Sequence, residues 1–155
     1  MKYILLISLL LLCYFLCEEY RRFRTRRREQ LDALYRYLLC IAEEMTLYHT
    51  AKGPRTQEGY QALGCLGFEP ERPFAEGLAA VVGRMALLES EKEKIKEFCE
   101  KFGEGNLKTE QLKLSVIIEN VKNLLQKEES EGKKSVDTVR IVAFTVTLCL
   151  VILFL

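Results

Sequence analysis

The chain has 155 residues, with 23 Lys and Arg against 22 Asp and Glu, and 49% of its residues are hydrophobic. All the acidic residues, and all the basic ones except Lys2, lie between Glu18 and Arg140, so the chain reads apolar, charged, apolar. This distribution excludes an ordinary soluble globular domain. The single histidine and the lack of any recognisable catalytic or metal-binding motif argue against an enzyme.

Both ends of the chain predict membrane helices. Residues 3–17 are apolar except for Ser8, and residues 141–155 are broken only by Thr145 and Thr147. Each stretch would be about 22 Å long as a helix, against a bilayer core of roughly 30 Å. Snorkelling of flanking basic side chains and local bilayer thinning accommodate the difference. We predict transmembrane helices at residues 1–18 and 141–155 and a cytoplasmic α-helical domain at 19–140.

Three other interpretations of the apolar ends compete. One of them, a lipoprotein signal, requires a small residue before the cysteine, and Leu12 and Leu16 are not small. The first stretch has the positive start and apolar core of a cleaved signal peptide, although no small-x-small cleavage site comes after it. A signal peptide with an apolar C-terminal tail is also typical of a lipid-anchored surface protein. Arginines directly after the first stretch oppose translocation of the downstream residues. The six cysteines form no C-x-x-C pair, which indicates free thiols in a reducing compartment.

Basic residues cluster on the charged side of both apolar ends, which places residues 18–140 in the cytoplasm by the positive-inside rule. We interpret them as topology signals and contacts to lipid headgroups. Nucleic-acid binding is not favoured, because no aromatic platform is interleaved with them. The residues are Arg21, Arg22, Arg24, Arg26, Arg27, Arg28, Lys133, Lys134 and Arg140.

The middle of the chain begins with an amphipathic helix. From Leu31 the apolar residues recur at spacings of three, four and seven, which predicts one helix from the first membrane segment to about His49. A short helix or a structured loop is expected next, over residues 56–68. The expected buried positions of the first helix are Leu31, Leu34, Tyr35, Leu38, Ile41, Ala42, Met45 and Tyr48.

Two more helices are expected before the final long one. Apolar residues from Phe74 to Leu88 line one face of a helix. Ser90 and Glu93 form a capping box before the next apolar stripe, which comprises Ile95, Phe98, Cys99 and Phe102.

The last helix is expected after a glycine-containing turn. Gly103 and Gly105 end the preceding helix, and Asn106 caps the new one. Residues 126–135 are polar on every side and predict a solvated stalk beside the membrane. The predicted fold class is therefore all-α: a cytoplasmic bundle of about four amphipathic helices, flanked by N- and C-terminal transmembrane helices. Its first and last helices should lie near each other.

Candidate chemistry is sparse. His49 is expected at the end of the first long helix, where it suits the helix dipole, and no nucleophile or carboxylate is paired with it. Glu43 and Glu44 point apart on a helix and are expected to face solvent or a protein partner. We predict no catalytic residue, no cofactor and no metal, but an interaction module whose surface binds another protein.

The order of these features resembles a known family. An Arg-rich sequence comes after the first apolar stretch, a helix with L-x-x-L spacing carries an acidic residue before Met45, and a charged helix precedes the second apolar stretch. This layout resembles the stage III sporulation protein AB family of endospore-forming Firmicutes. Residues 51–58 depart from the Thr-Pro-Leu-like turn usual there. The most specific element is F-G-x-G-x-x-x-x-x-Q, here Phe102, Gly103, Gly105 and Gln111.

The resemblance implies a place in an assembly across the two membranes around a developing forespore. Family members are similar to the inner-membrane platform protein of type II secretion and type IV pilus machines, which is expected to dock a cytoplasmic ATPase, here the companion protein AA. The implied location is the mother-cell membrane facing the forespore. Other membrane components of the complex and the bilayer are the further partners, with no nucleic acid or small-molecule substrate.

The expected contact surface for the ATPase lies around four polar residues of the bundle. A generic two-span membrane adaptor or assembly factor unrelated to sporulation is the alternative that the same features allow. The four residues are Glu43, Glu44, Glu104 and Gln111.

Topology separates these interpretations. A Gly53→Cys variant, with the native cysteines replaced, should react with a membrane-impermeant thiol reagent only after intact cells are permeabilised. Labelling of intact cells would place residues 19–140 outside, contradict the positive-inside argument and favour the surface-anchored protein.

Overall fold

The computed structural model describes residues 2–48, 63–64, 74–103 and 105–154. This part of the chain is 93% helical and contains no strand. Its helices are α1 (Lys2–Tyr48), α2 (Phe74–Arg84), α3 (Glu89–Lys101) and α4 (Leu107–Phe154). The chain divides into a helical pair, formed by Met1–Arg26 with Lys127–Leu155, and a bundle formed by Arg27–Gln126.

The long first helix is confirmed. α1 is continuous over 47 residues and ends at Tyr48. His49, residues 51–58 and most of the 56–68 stretch lie outside the described residues. Within that stretch Leu63 and Gly64 are helical, and Leu63 is fully buried.

The core of the bundle is built from the predicted apolar stripes. On α1, Leu31, Leu34, Leu38, Ile41 and Met45 are buried, as the helical period predicts. The buried face of α1 is wider than expected, because Ala33, Tyr37 and Glu44 are buried as well. The other buried apolar residues are Leu63, Leu78, Val81, Val82, Met85, Leu87, Ile95, Phe98, Cys99, Leu114, Ile117 and Val121.

The connection between α2 and α3 differs from the prediction. α2 ends at Arg84, so the expected helix through Leu88 is too long, and the Leu88 side chain is 60% exposed. Leu88 is instead the N-cap of α3, and its amide donates to Glu91 Oε2 at 2.9 Å. The capping box predicted at Ser90 and Glu93 is therefore wrong, since the residue at the third helical position is Glu91.

The turn between α3 and α4 agrees with the prediction. α3 ends at Lys101 with Phe102 as its C-cap, and Gly103 has a φ of 98°, the left-handed conformation that favours glycine. Asn106 Oδ1 accepts hydrogen bonds from the amide of Thr109 at 2.9 Å and from its hydroxyl at 2.8 Å. Asn106 thus caps α4.

The helical pair brings the two ends of the chain together. Tyr20 and Ser135 share a hydrogen bond of 2.5 Å, and Arg24 Nη2 lies 3.2 Å from Glu128 Oε2. The residue numbers of the partners on α4 fall as those on α1 rise, so the two segments run antiparallel. The prediction that residues 126–135 are solvated on every side is wrong for Glu128, which is buried against α1.

One helix of the described chain, α4, is long and apolar enough to cross a membrane, over Leu107–Ile152. Its apolar end exposes several large side chains, among them Ile141, Phe144 and Ile152. The N-terminal apolar stretch is helical as well, but its crossing of a membrane stays a prediction.

Alanine substitutions at two glycines of the bundle should change its stability in opposite directions. Gly103→Ala should lower the free energy of unfolding by about 1–2 kcal/mol, because the left-handed conformation penalises a Cβ, while the space beside Gly103 is open. Gly83→Ala, in a helix with equally open space, should raise it by up to about 1 kcal/mol. Denaturant titration of the full chain in detergent measures both. Equal effects would contradict the assigned turn conformation.

Candidate functional site

Most of the basic residues predicted for the membrane surface are exposed. The side chains of Arg21 and Arg22 are exposed and pair with Glu18 of the same helix at 3.2 and 3.4 Å. Exposed ion pairs of this spacing contribute at most about 0.5 kcal/mol to stability, so they do not fix the arginine side chains in one position. Contact with lipid headgroups stays a prediction for the exposed set: Arg21, Arg22, Arg26, Arg28, Lys133, Lys134 and Arg140.

Two arginines of that cluster have structural partners instead. In the helical pair, Arg24 is mostly buried against Glu128. In the bundle, Arg27 is only 7% exposed, and its Nη2 donates to both carboxylate oxygens of Glu91, at 2.8 and 3.0 Å. The interpretation of Arg27 as a membrane-surface residue is therefore wrong, because its charge is used to compensate a carboxylate 64 residues away in the sequence.

The two adjacent glutamates of the predicted partner surface lie in different environments. Glu43 is exposed, as expected. Glu44 is fully buried, so the expectation that it faces solvent or a partner is wrong. Successive helical positions differ by about 100°, and Glu44 falls on the same buried face as Tyr37 and Ile41.

Gln111 is half-buried and joins two helices of the bundle. Its Nε2 donates to the backbone carbonyl of Met45, at 3.4 Å. The start of α4 thus lies beside the end of α1, the segment that also carries Glu43. The fourth predicted residue, Glu104, lies outside the described residues.

A buried carboxylate organises the turn that precedes Gln111. Glu110 accepts hydrogen bonds from the amides of Gly103 and Gly105, both at 2.9 Å, and pairs with Lys113 Nζ at 2.9 Å. A Cβ at position 105 would lie 2.6 Å from Glu110 Oε1, so a larger residue there would displace this carboxylate from its present position. Burial would raise the pKa of Glu110, but Lys113 and the two amides outweigh it and hold the pKa below the usual 4.5.

The F-G-x-G-x-x-x-x-x-Q element therefore has a structural explanation at its phenylalanine, its two glycines and its glutamine. Phe102 packs on the core and its ring lies 5.2 Å from that of Phe98. The two glycines supply the left-handed turn and the approach to Glu110, and the glutamine ties α4 to α1. The element builds the turn and joins it to the bundle.

Next to this element is an apolar strip that the sequence analysis missed. Leu112 and Val116 are one helical turn apart on α4, and their side chains are 67% and 53% exposed. The core-facing residues nearby are Leu114 and Ile117, so the strip lies off the buried face. An apolar i, i+4 pair outside the core stripe is the signal that could have identified it.

Two features of the described residues bear on metal binding and on thiol chemistry. Among them no group of three or more His, Cys, Asp or Glu side chains is placed to hold a metal ion. Cys99 belongs to the core, and burial raises the pKa of its thiol to about 12. A thiol with that pKa stays protonated at neutral pH and is a poor nucleophile or metal ligand.

Comparison with known proteins gives one match. The family model described as stage III sporulation protein AB matches residues 67–155, which is more than half of the chain and includes α2, α3 and α4. Neither the curated proteins nor the solved structures contain a match to the chain. The features that resemble this family in α1 lie outside the matched residues.

Glu110 gives the turn a pH-dependent stability. Its folded-state pKa is depressed, so its contribution is complete above about pH 4.5 and is lost as the pH falls through the lower folded-state value. Glu110→Gln should lower the free energy of unfolding at neutral pH by about 1.5–3 kcal/mol and remove this pH dependence. Glu97→Gln, at an exposed residue paired with Lys101, should change stability little. Denaturant titrations between pH 3 and 7 test this; equal losses in both variants would contradict it.

Proposed function

Because the chain belongs to the stage III sporulation protein AB family, its role lies in sporulation, and we propose that it acts there as a non-catalytic, membrane-anchored platform that docks a cytoplasmic ATPase. The family match over residues 67–155 is the observation that carries the proposal. A two-span adaptor unrelated to sporulation, which the sequence left open, does not agree with this membership.

The proposed anchor is the helical pair. The apolar end of α4 has large exposed side chains that water would not tolerate as a continuous surface, and a lipid phase would cover them. Residues 7–16 of α1 are similarly apolar and mostly exposed. Two antiparallel membrane helices place both termini on one side of the membrane. The exposed basic residues next to the apolar ends favour the cytoplasm for the bundle. The family resemblance implies the mother-cell membrane that faces the forespore as its location.

The proposed docking surface lies on the bundle and consists of Glu43 on α1 with Gln111, Leu112 and Val116 on α4. The contact from Gln111 to the Met45 carbonyl brings these two segments together. An exposed apolar centre with polar residues at its edge is the usual composition of a protein-binding surface. The ATPase would supply hydrolysis, so this chain needs no catalytic group of its own.

Co-purification with the protein AA-like ATPase tests the docking. The full chain in detergent should retain the ATPase, and Leu112→Asp combined with Val116→Asp should weaken binding at least about tenfold, because two charges would be buried in an apolar interface. Glu43→Lys should weaken it further.

The matched control is Leu88→Asp, which places the same charge on an equally exposed leucine between α2 and α3. It should leave binding unchanged. Equal loss in the control would indicate misfolding rather than a docking surface, and retention of the ATPase by the double variant would refute this surface. Absence of binding by the unaltered chain would refute the platform.

A further inference from the structure

A groove of about 280 Å³ lies between the two antiparallel segments of the helical pair. It is distinct from the docking surface on the bundle, and the platform proposal does not use it. The side chains that matter for its chemistry are Leu10, Tyr14, Glu18 and Arg21 of α1 and Arg140 and Phe144 of α4.

The groove is polar at one end and apolar at the other. Its charged groups lie where the charged part of each helix meets the apolar part, and Leu10 lies at the opposite end. Leu10 and Arg21 are 11 positions apart, which corresponds to about 16 Å of helix. This is about half of the roughly 30 Å hydrocarbon core, so the groove has the length of one lipid leaflet.

The charges at the polar end are unequal. Arg21 is 3.2 Å from Glu18, and the two compensate each other. In the described part of the chain, Arg140 has no ion pair with a carboxylate. The polar end therefore carries one net positive charge, and a guanidinium is well suited to bind the oxygens of a phosphate.

We propose that this groove binds one anionic phospholipid. Its phosphate would lie against Arg140, with Arg21 beside it, and one acyl chain would run along Leu10, Tyr14 and Phe144. The inference shares with the proposed function only the placement of the helical pair in a membrane.

The test measures lipid binding by the full chain in a nonionic detergent, with native mass spectrometry as the readout. Phosphatidylglycerol should bind about tenfold more tightly than phosphatidylcholine, and added salt should reduce the preference. Arg140→Gln should bring the two lipids close to equal affinity, and Arg140→Lys should retain part of the preference because it keeps the charge.

Two matched controls separate a site from a general charge or apolar effect. Arg26→Gln removes an exposed arginine outside the groove and should preserve the preference for phosphatidylglycerol. Phe144→Ala should lower the affinity for both lipids several-fold. Phe15→Ala, at an exposed ring outside the groove, should leave both affinities unchanged.

Several outcomes overturn the proposal. Equal affinity of the unaltered chain for both lipids does so even when no variant can be purified. Equal effects of Arg26→Gln and Arg140→Gln would indicate general charge attraction. A dimer that Phe144→Ala converts to a monomer, without a change in bound lipid, would assign the groove to a second copy of the chain. None of these results bears on ATPase docking, which is measured with variants of the bundle.

Discussion

The bundle depends on the way in which α1 holds the connection between α2 and α3. Arg27 bonds to both oxygens of Glu91, and Gln30, one turn later on the same face, accepts a 2.7 Å hydrogen bond from the amide of Ala86. Glu91 also caps α3 through the amide of Leu88. A non-helical connection must find partners for its backbone groups, and α1 supplies them. Breaking such a buried ion pair by removing one partner typically costs about 3–5 kcal/mol, so the start of α3 is fixed by a side chain of α1.

The fixed start of α3 in turn decides where α4 begins. Ile95, Phe98 and Cys99 bury one face of α3 over its short length, and the helix stops where Gly103 adopts its left-handed conformation. Glu110 then reaches back to the amides of the turn. The residues that carry the family resemblance serve to build this turn and to join it to the bundle. A partner surface is therefore better sought beside the element, at Leu112 and Val116, whose side chains serve no purpose in the core.

The sequence predicted the apolar part of this structure well and its buried charges poorly. Helical periodicity identified the long α1, the stripe from Leu31 to Met45 and the capped start of α4, because these depend on residues near one another in the chain. It failed at Arg27 and Glu44, since a charged residue looks exposed until its tertiary surroundings are known. The end of α2 was predicted wrongly for the same reason. Leu87 and Leu88 are the same residue type in the sequence, and the distant residues that contact the connection between α2 and α3 decide which of them is buried.

The membrane anchor proposed for the helical pair would reconcile its short apolar ends with a bilayer through side-chain contacts. Each 15-residue end is about 8 Å shorter than a bilayer core of roughly 30 Å, so the adjoining polar residues must lie close to the hydrocarbon. Tyr20 with Ser135 and Arg24 with Glu128 satisfy one another across the pair, which lowers the cost of that position. Arg21 and Arg140 are long enough to extend toward the headgroups. If the inner polar residues of a helical pair contact each other and its outer arginines face the lipid, the pair does not require longer apolar segments. The side chains at the interface compensate for the difference in length.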